Sequence, residues 1–308
     1  MDFENELVEF VIKYGITKTS DGLFGKDFTS WVETYRKVIA QRLTSVAEIL
    51  VIRRNKAEEQ GKEVTDEIPP RIAERLWSEA SYSTEAINKE YYAGVLLSTQ
   101  DNPYHDAGVF YLSSIHRLSS LQIRTHYILY QILKQTYDKK GPASVLIDSV
   151  DLTRGLTYFE ASEFMEALYG ESKVDEFQEI GQQANQYKVQ IEHVVQGLRK
   201  EGLVKVFFTA TSSENLSPNM YLFDDDIELQ PRTSQKVYYF FMPSLEGLYL
   251  FLWGQGYGNQ PKDDFLSDRM IFRPIDNIHI PNATAYTSKD DLFQYTRIID
   301  MANNKFDF

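Results

Sequence analysis

The chain has 308 residues, of which 43% are hydrophobic and 14% aromatic, a globular composition long enough to bury a core that divides into two cooperating subdomains. With no cysteine it excludes a thiol nucleophile, a redox pair, an iron–sulfur cluster and a thiolate zinc site, and it suits a reducing cytoplasm. A net charge of −13 and a sequence pI of about 4.9 set the overall field against nucleic-acid phosphate and anionic lipid.

The N-terminal residues carry Asp2, Glu4, Glu6 and Glu9 in place of the basic and apolar regions of a signal peptide, so the expected location is cytoplasmic. The most apolar stretches, such as Leu245 to Trp253, are far shorter than the roughly 18 residues of a spanning helix. No membrane crossing is expected.

Residues 1–62 read as helical, interrupted at Thr17 to Gly25 where Thr, Ser, Asp and Gly cluster. From Trp31 the apolar positions Tyr35, Val38, Ile39, Leu43, Val46 and Leu50 recur three or four apart, the spacing of one helix face. Arg53, Arg54 and Lys56 stand among Glu48, Glu58 and Glu59, which suggests a solvated helix end before Gly61.

Pro69 and Pro70 mark the entry to a helix carrying Ile72, Leu76 and Ala80, and Ser81 to Thr84 break it. A further helix places Ile87, Tyr91 and Val95 on one stripe with Leu96 beside it, and stops at Asp101, Asn102 and Pro103. Tyr104 to Leu118 reads as the next helix. Ser119 and Gln122 then have capping-box spacing, with Leu118 and Ile123 as a hydrophobic staple, so a fresh helix starts at Leu121 and ends at Gly141 and Pro142.

Beyond residue 143 the pattern changes. Helical segments around Glu160 to Leu168 and Val174 to Ala184 precede a helix from Tyr187 to Lys200, with Gly202 as its stop. Val204 to Thr209 and Val237 to Met242 are rich in β-branched and aromatic residues, as in a hairpin with a long tip, and Ser244 is placed to cap a helix from Leu245 to Trp253. The expected class is therefore mainly α: a helical domain over 1–142, a winged-helix-like α+β domain over 143–260, and a tail, 261–308, with no assigned fold. No internal repeat is visible.

The stretch Glu67-Ile-Pro-Pro-Arg-Ile-Ala-Glu-Arg-Leu-Trp-Ser-Glu-Ala-Ser81, followed by Asn88-Lys-Glu-Tyr-Tyr-Ala-Gly-Val-Leu-Leu97, resembles the signature of the abortive-infection alpha (Abi-alpha) family of bacterial phage-resistance proteins. Tyr92 stands where that signature usually has tryptophan. Arg117-Leu-Ser-Ser-Leu121, Leu198-Arg-Lys-Glu-Gly-Leu203 and Pro243-Ser-Leu-Glu-Gly-Leu248 extend the resemblance over roughly 40–255. It implies a role in the bacterial response to phage, and it brings no active site with it.

Candidate chemistry is sparse. Helical RNase toxins of the HEPN type use an arginine and a histidine on one helix with four to six residues between them, and His116, Arg117, Arg124 and His126 miss that spacing. Arg117 and His126 are separated by a predicted helix break, and Arg124 and His126, two apart, point to nearly opposite faces. Arg117, Arg124 and His126 are the catalytic candidates if there is any catalysis. His105 and His193 follow no ligand spacing, and His279 between Ile278 and Ile280 suits a strand or loop.

Asp224, Asp225, Asp226 and Glu228 could hold a hard cation but lack the glycine and distal glutamate of a calcium loop, and they read as a solvated hairpin tip. Gly254, Gly256 and Gly258 follow a helix, with no P-loop lysine after them, and read as a flexible turn. No metal or cofactor is expected. A winged helix would put Tyr187 to Lys200 in the recognition position with Lys188, Arg199 and Lys200, but the acids of the wing outnumber Arg232 and Lys236. The expected function is antiphage defence by recognition of a phage or host protein, with a homo-oligomer in scope and no catalysis. A helical RNase toxin and a DNA-binding regulator are the alternatives.

Overall fold

In a computed structural model the structure describes residues 26–65, 67–100, 106–138, 156–170, 181–212, 236–272, 274–275 and 278–286. Among them are eight α-helices, two 3-10 turns and four strands. The chain divides into two compact units, Met1–Arg117 and Leu118–Phe308. That division places the helix with the Ser119 capping box in the second unit, whereas the sequence reading ended the first domain at residue 142.

The first unit is built on α1 (Lys26–Glu59), which packs chiefly on α3 (Ala86–Gln100) and on the 3-10 turn Ala80–Tyr82. Between them α2 (Pro70–Ser78) starts on Pro69 and Pro70, where proline's missing amide hydrogen loses no helical bond, and buries Ile72 and Leu76. The helix α4 (Asp106–Arg117) packs on α2 and α3. The expected stripe Ile87, Tyr91, Val95 and Leu96 is buried on α3, and Tyr92 is only 2% exposed.

The helical spacing expected from Trp31 onward is borne out, but the apolar stripe does not mark the buried positions: Tyr35 (48% exposed), Val38 and Leu50 are exposed, while Ser45, Ile49, Arg53, Lys56 and Ala57 are buried. The inward face is therefore partly polar. Nor are Arg53 and Lys56 a solvated helix end. Arg53 donates to Thr65 O at 3.0 Å and to Gln100 Oε1 at 2.9 Å. Lys56 Nζ lies 2.9 Å from Glu90 Oε2, which has no hydrogen bond of acceptable geometry, so the contact is ionic. The acids near Lys56 in sequence are not its partner. The one that neutralises it comes from α3.

In the second unit α5 (Ser120–Asp138) begins with the reciprocal bonds of a capping box: Ser119 N–H donates to Gln122 Oε1 at 2.8 Å and Gln122 N–H to Ser119 Oγ at 3.2 Å. Leu118 and Ile123, the expected staple pair, are both buried. A strand missed in the sequence, β1 (Leu156–Glu160), runs straight into α6 (Ala161–Tyr169). Then come α7 (Gly181–Lys200), β2 (Val204–Ser212) and β3 (Lys236–Pro243). Gly202, at φ +72°, lets Leu203 N–H reach Leu198 O at 2.8 Å and so closes α7 where expected.

The helix α8 (Leu245–Gln255) is buried along most of its length, with the 3-10 turn Lys262–Leu266 beside it. From the tail comes β4 (Ala283–Tyr286), held in part by Asn282 N–H donating to Glu163 Oε2 at 2.8 Å. The sheet is antiparallel in the order β2-β3-β1-β4, with Phe159 opposite Tyr239 on β3 and Ala283 on β4. The glycines after α8 form an ordered stop in place of the expected flexible turn. Gly256 is left-handed, Tyr257 N–H bonds Leu252 O at 2.8 Å, and Gly258 lies against the Trp253 ring. The breaks at Thr17 to Gly25, Asp101 to Pro103 and Gly141 to Pro142, the segment 171–180 and the acidic run 224–228 lie outside the described residues.

The Lys56–Glu90 pair carries a prediction. Lys56→Met strands a buried carboxylate and should lower stability by about 3–5 kcal/mol in urea unfolding, whereas Lys56→Met with Glu90→Leu should recover most of that loss. A double variant no more stable than the single one would contradict this account of the pair.

Candidate functional site

The turn after α2, Glu79 to Ser83, gathers polar groups of the first unit. Arg42 on α1 donates through Nε to Ser81 Oγ at 2.8 Å and through Nη2 to Trp77 O. Ser81 is fully buried and itself donates to Trp77 O. One turn further along α1, Ser45 Oγ donates to Ser83 O at 3.1 Å. Burial, with Glu79 nearby, pushes the Tyr92 hydroxyl well above its ordinary pKa, and its hydrogen bond with Ser83 opposes that shift. Ser81 and the carbonyls of Trp77 and Ser83 thus clamp α1 to the 3-10 turn.

The clamp has an outer side. The Arg42 guanidinium carbon lies 4.2 Å from the Trp77 ring centroid and 4.4 Å from that of Tyr82. Trp77 is 37% exposed and Tyr82 60% exposed. A guanidinium held between two rings and fixed by hydrogen bonds to the backbone and Ser81 loses little further freedom when a partner covers it. Trp, Tyr and Arg are the residues that dominate protein-binding hot spots. Chemically the arrangement offers ring faces and a cation, with no nucleophile or general base.

The catalytic candidates fall on two helices, one in each unit. His116 and Arg117 are exposed at the end of α4 in the first unit, and Arg117 Nη2 lies 3.5 Å from Ser114 Oγ. Arg124 and His126 belong to the second unit, where Arg124 is half-buried with Nε donating to Ala167 O at 3.1 Å.

His126 is completely buried, and its Nε2 lies 3.0 Å from Gly247 O. A carbonyl only accepts, so Nε2 carries the hydrogen. The ring lies 4.6 Å from that of Tyr130, whose hydroxyl sits between Leu203 O (2.9 Å) and Ser244 O (3.1 Å) and accepts from Ser244 N–H (3.1 Å). A Cβ on Gly247 would come 2.1 Å from both Leu203 O and Tyr130 Oη, so glycine is required there. Ser244 Oγ accepts from Gly247 N–H at 3.0 Å, the cap expected for α8. This is packing chemistry: His126 joins α5 to the first turn of α8.

His193 and His279 are exposed, on α7 and in the loop before β4, while His105 lies outside the described residues. Among the described residues no group of three or more His, Cys, Asp or Glu is arranged to hold a metal ion, and no helix is long and apolar enough to cross a membrane. Sequence reading missed the Arg42 clamp. Its only local signal was a polar residue within an apolar stripe. Comparison with protein-family models, curated proteins and solved structures gives no match.

Burial lowers the His126 pKa from 6.5 to about 3, with the Gly247 carbonyl opposing the shift. The folded state therefore keeps His126 neutral where the unfolded chain takes up a proton, so stability is retained above about pH 6.5 and lost progressively as pH falls toward 3. About 2 kcal/mol should be lost between pH 7 and pH 5. His126→Gln, which keeps a donor for Gly247 O and does not titrate, should lose correspondingly less in urea unfolding at the two pH values. An unchanged pH dependence would remove His126 as its source.

Proposed function

We propose that this chain is a bacterial antiphage protein of the abortive-infection kind that acts by recognising a phage or host protein and has no catalysis of its own. The observation that carries the recognition half is the exposed Trp77–Arg42–Tyr82 stack, a rigid surface with hot-spot composition. Its link to the resemblance is that Trp77 and Ser81, which hold Arg42, belong to the signature stretch Glu67–Ser81. Against the RNase alternative stands the complete burial of His126, which leaves no imidazole surface for a phosphodiester.

The second unit supports a winged-helix reading. Helix α5, strand β1, helices α6 and α7 and the pair β2–β3 follow one another in the order of that fold, with β1 adding to the hairpin beside β3. As a DNA reader it is poorly equipped. Among residues 189–200 of α7 the exposed positions are Val189, Gln190, Glu192, His193, Gln196 and Lys200, one carboxylate for one lysine with Arg199 half-buried, and they give phosphates little net attraction. A winged helix used as a protein module accords better with such a face.

Bacteria expressing the chain should restrict phage plaque formation, and Trp77→Ala with Tyr82→Ala should abolish restriction while the purified double variant keeps its melting temperature within a few degrees. Restriction that survives in that variant would overturn the recognition surface. Incubated with total RNA, the purified protein should leave it intact. Cleavage that is lost in a folded Arg124→Ala variant would restore the toxin reading.

A further inference from the structure

The charge at the centre of the Trp77–Arg42–Tyr82 surface is uncompensated. Arg42 is half-buried, and one edge of its guanidinium is engaged, with Nε donating to Ser81 Oγ and Nη2 to the Trp77 carbonyl. Both acceptors are neutral. Two acids of the same elements are paired elsewhere, Glu48 of α1 with Lys89 and Glu79 of the turn with Arg75. Among the described residues no carboxylate pairs with Arg42, and its Nη1 has no acceptor. The edge formed by Nη1 and Nη2 can meet a carboxylate through two parallel hydrogen bonds.

The surroundings narrow the choice of ligand. Beside the exposed rings of Trp77 and Tyr82 stands Val38, 37% exposed and one turn before Arg42 on α1. These three side chains offer apolar contact to a partner with apolar groups of its own. Residues 34–47 contain Arg36, Lys37 and Arg42 and no acid, so the local field attracts an anion although the net charge of the chain is −13. A nucleic acid brings a phosphate at every step and meets the repulsion of the whole chain. A protein segment with one carboxylate among apolar residues meets chiefly the local field, because salt screens the more distant charges.

We propose that this surface takes a protein segment in which an aspartate or glutamate side chain is flanked by apolar residues, the carboxylate accepting from Arg42 Nη1 and Nη2 while its neighbours cover Trp77, Tyr82 and Val38. The proposal rests on the recognition reading and adds the chemistry of the partner. An amide in place of the carboxylate removes the charge and turns an N–H group toward the donors of Arg42, so affinity should fall about 10-fold or more.

The probe is an array of short synthetic peptides, each with a single Asp or Glu between Leu, Phe or Trp residues in a Gly and Ser background. Beside each lie a twin with Asn or Gln and a twin with phosphoserine at that position. The full chain should bind acid peptides and hold their amide twins about 10-fold more weakly. Trp77→Ala with Tyr82→Ala should abolish the binding. Arg42→Lys, which keeps the charge and loses the fork, should reduce the preference for acid over amide, and Lys37→Gln should leave it unchanged. Capture of no acid peptide, a preference that survives Arg42→Lys, or tighter binding of phosphoserine twins or of an oligothymidylate would overturn the proposal, the last by making the site one for phosphate. Equal binding of acid and amide twins that still requires Trp77 and Tyr82 would remove the carboxylate and leave the recognition surface standing. Phage restriction that survives Trp77→Ala with Tyr82→Ala would remove both.

Discussion

Four polar side chains on the inward face of α1 govern the first unit. Ser45, Arg53 and Lys56 are buried and Arg42 half-buried on the same side of the helix that buries Ile49, and a buried polar group without a partner costs more than an apolar contact returns. Each partner comes from an element whose position is thereby constrained: Ser81 and the Trp77 carbonyl for Arg42, the Ser83 carbonyl for Ser45, Gln100 and the Thr65 carbonyl for Arg53, Glu90 for Lys56. Gln100 also accepts from Thr65 N–H at 3.1 Å and donates to Glu63 O, which ties the loop after α1 to the end of α3. The aromatic surface around Arg42 is the outward side of this same network, so its rigidity follows from hydrogen bonding that the core requires.

The second unit is organised from a different kind of constraint, the close approach of backbone at Gly247. Tyr130 and His126 both reach that turn from α5, and the rings of Tyr127, Tyr130 and Phe251 stack around it at centroid distances of about 6 Å. Burial raises the hydroxyl pKa of Tyr130 and lifts that of Tyr239, on the sheet, to about 12, so both remain neutral donors or acceptors across the physiological range. His126, weighed in the sequence as a catalytic candidate only if there is any catalysis, is one member of this aromatic joint.

What was legible in the sequence was local. The Ser119–Gln122 box, the proline entry of α2, the Gly202 stop and the Ser244 cap each depend on residues within a few positions of one another, and each is found where its spacing placed it. The side of α1 that faces inward was not legible. Two overlapping faces of that helix both carry apolar residues, and the buried one is marked by polar groups whose partners lie 38 and 47 residues away at Ser83 and Gln100. His126 meets Gly247 across 121 residues, a contact that no periodicity encodes. The short strand Leu156–Glu160 passes into α6 with no turn residue between them, and β4 lies in a segment without a sustained pattern, so the sheet appeared in the sequence only as its hairpin.

The four-residue strand β4 has a consequence for solubility. It occupies the outer side of β1, pairing Leu156, Thr157, Tyr158 and Phe159 with residues 283–286. Without it β1 would be a bare sheet margin carrying Leu156, Tyr158 and Phe159, and unpaired margins of that composition recruit strands from neighbouring molecules. Residues 283–286, in the stretch that sequence reading left without a fold, thus cover a margin open to such pairing, and a shortened version ending before Ala283 would expose it.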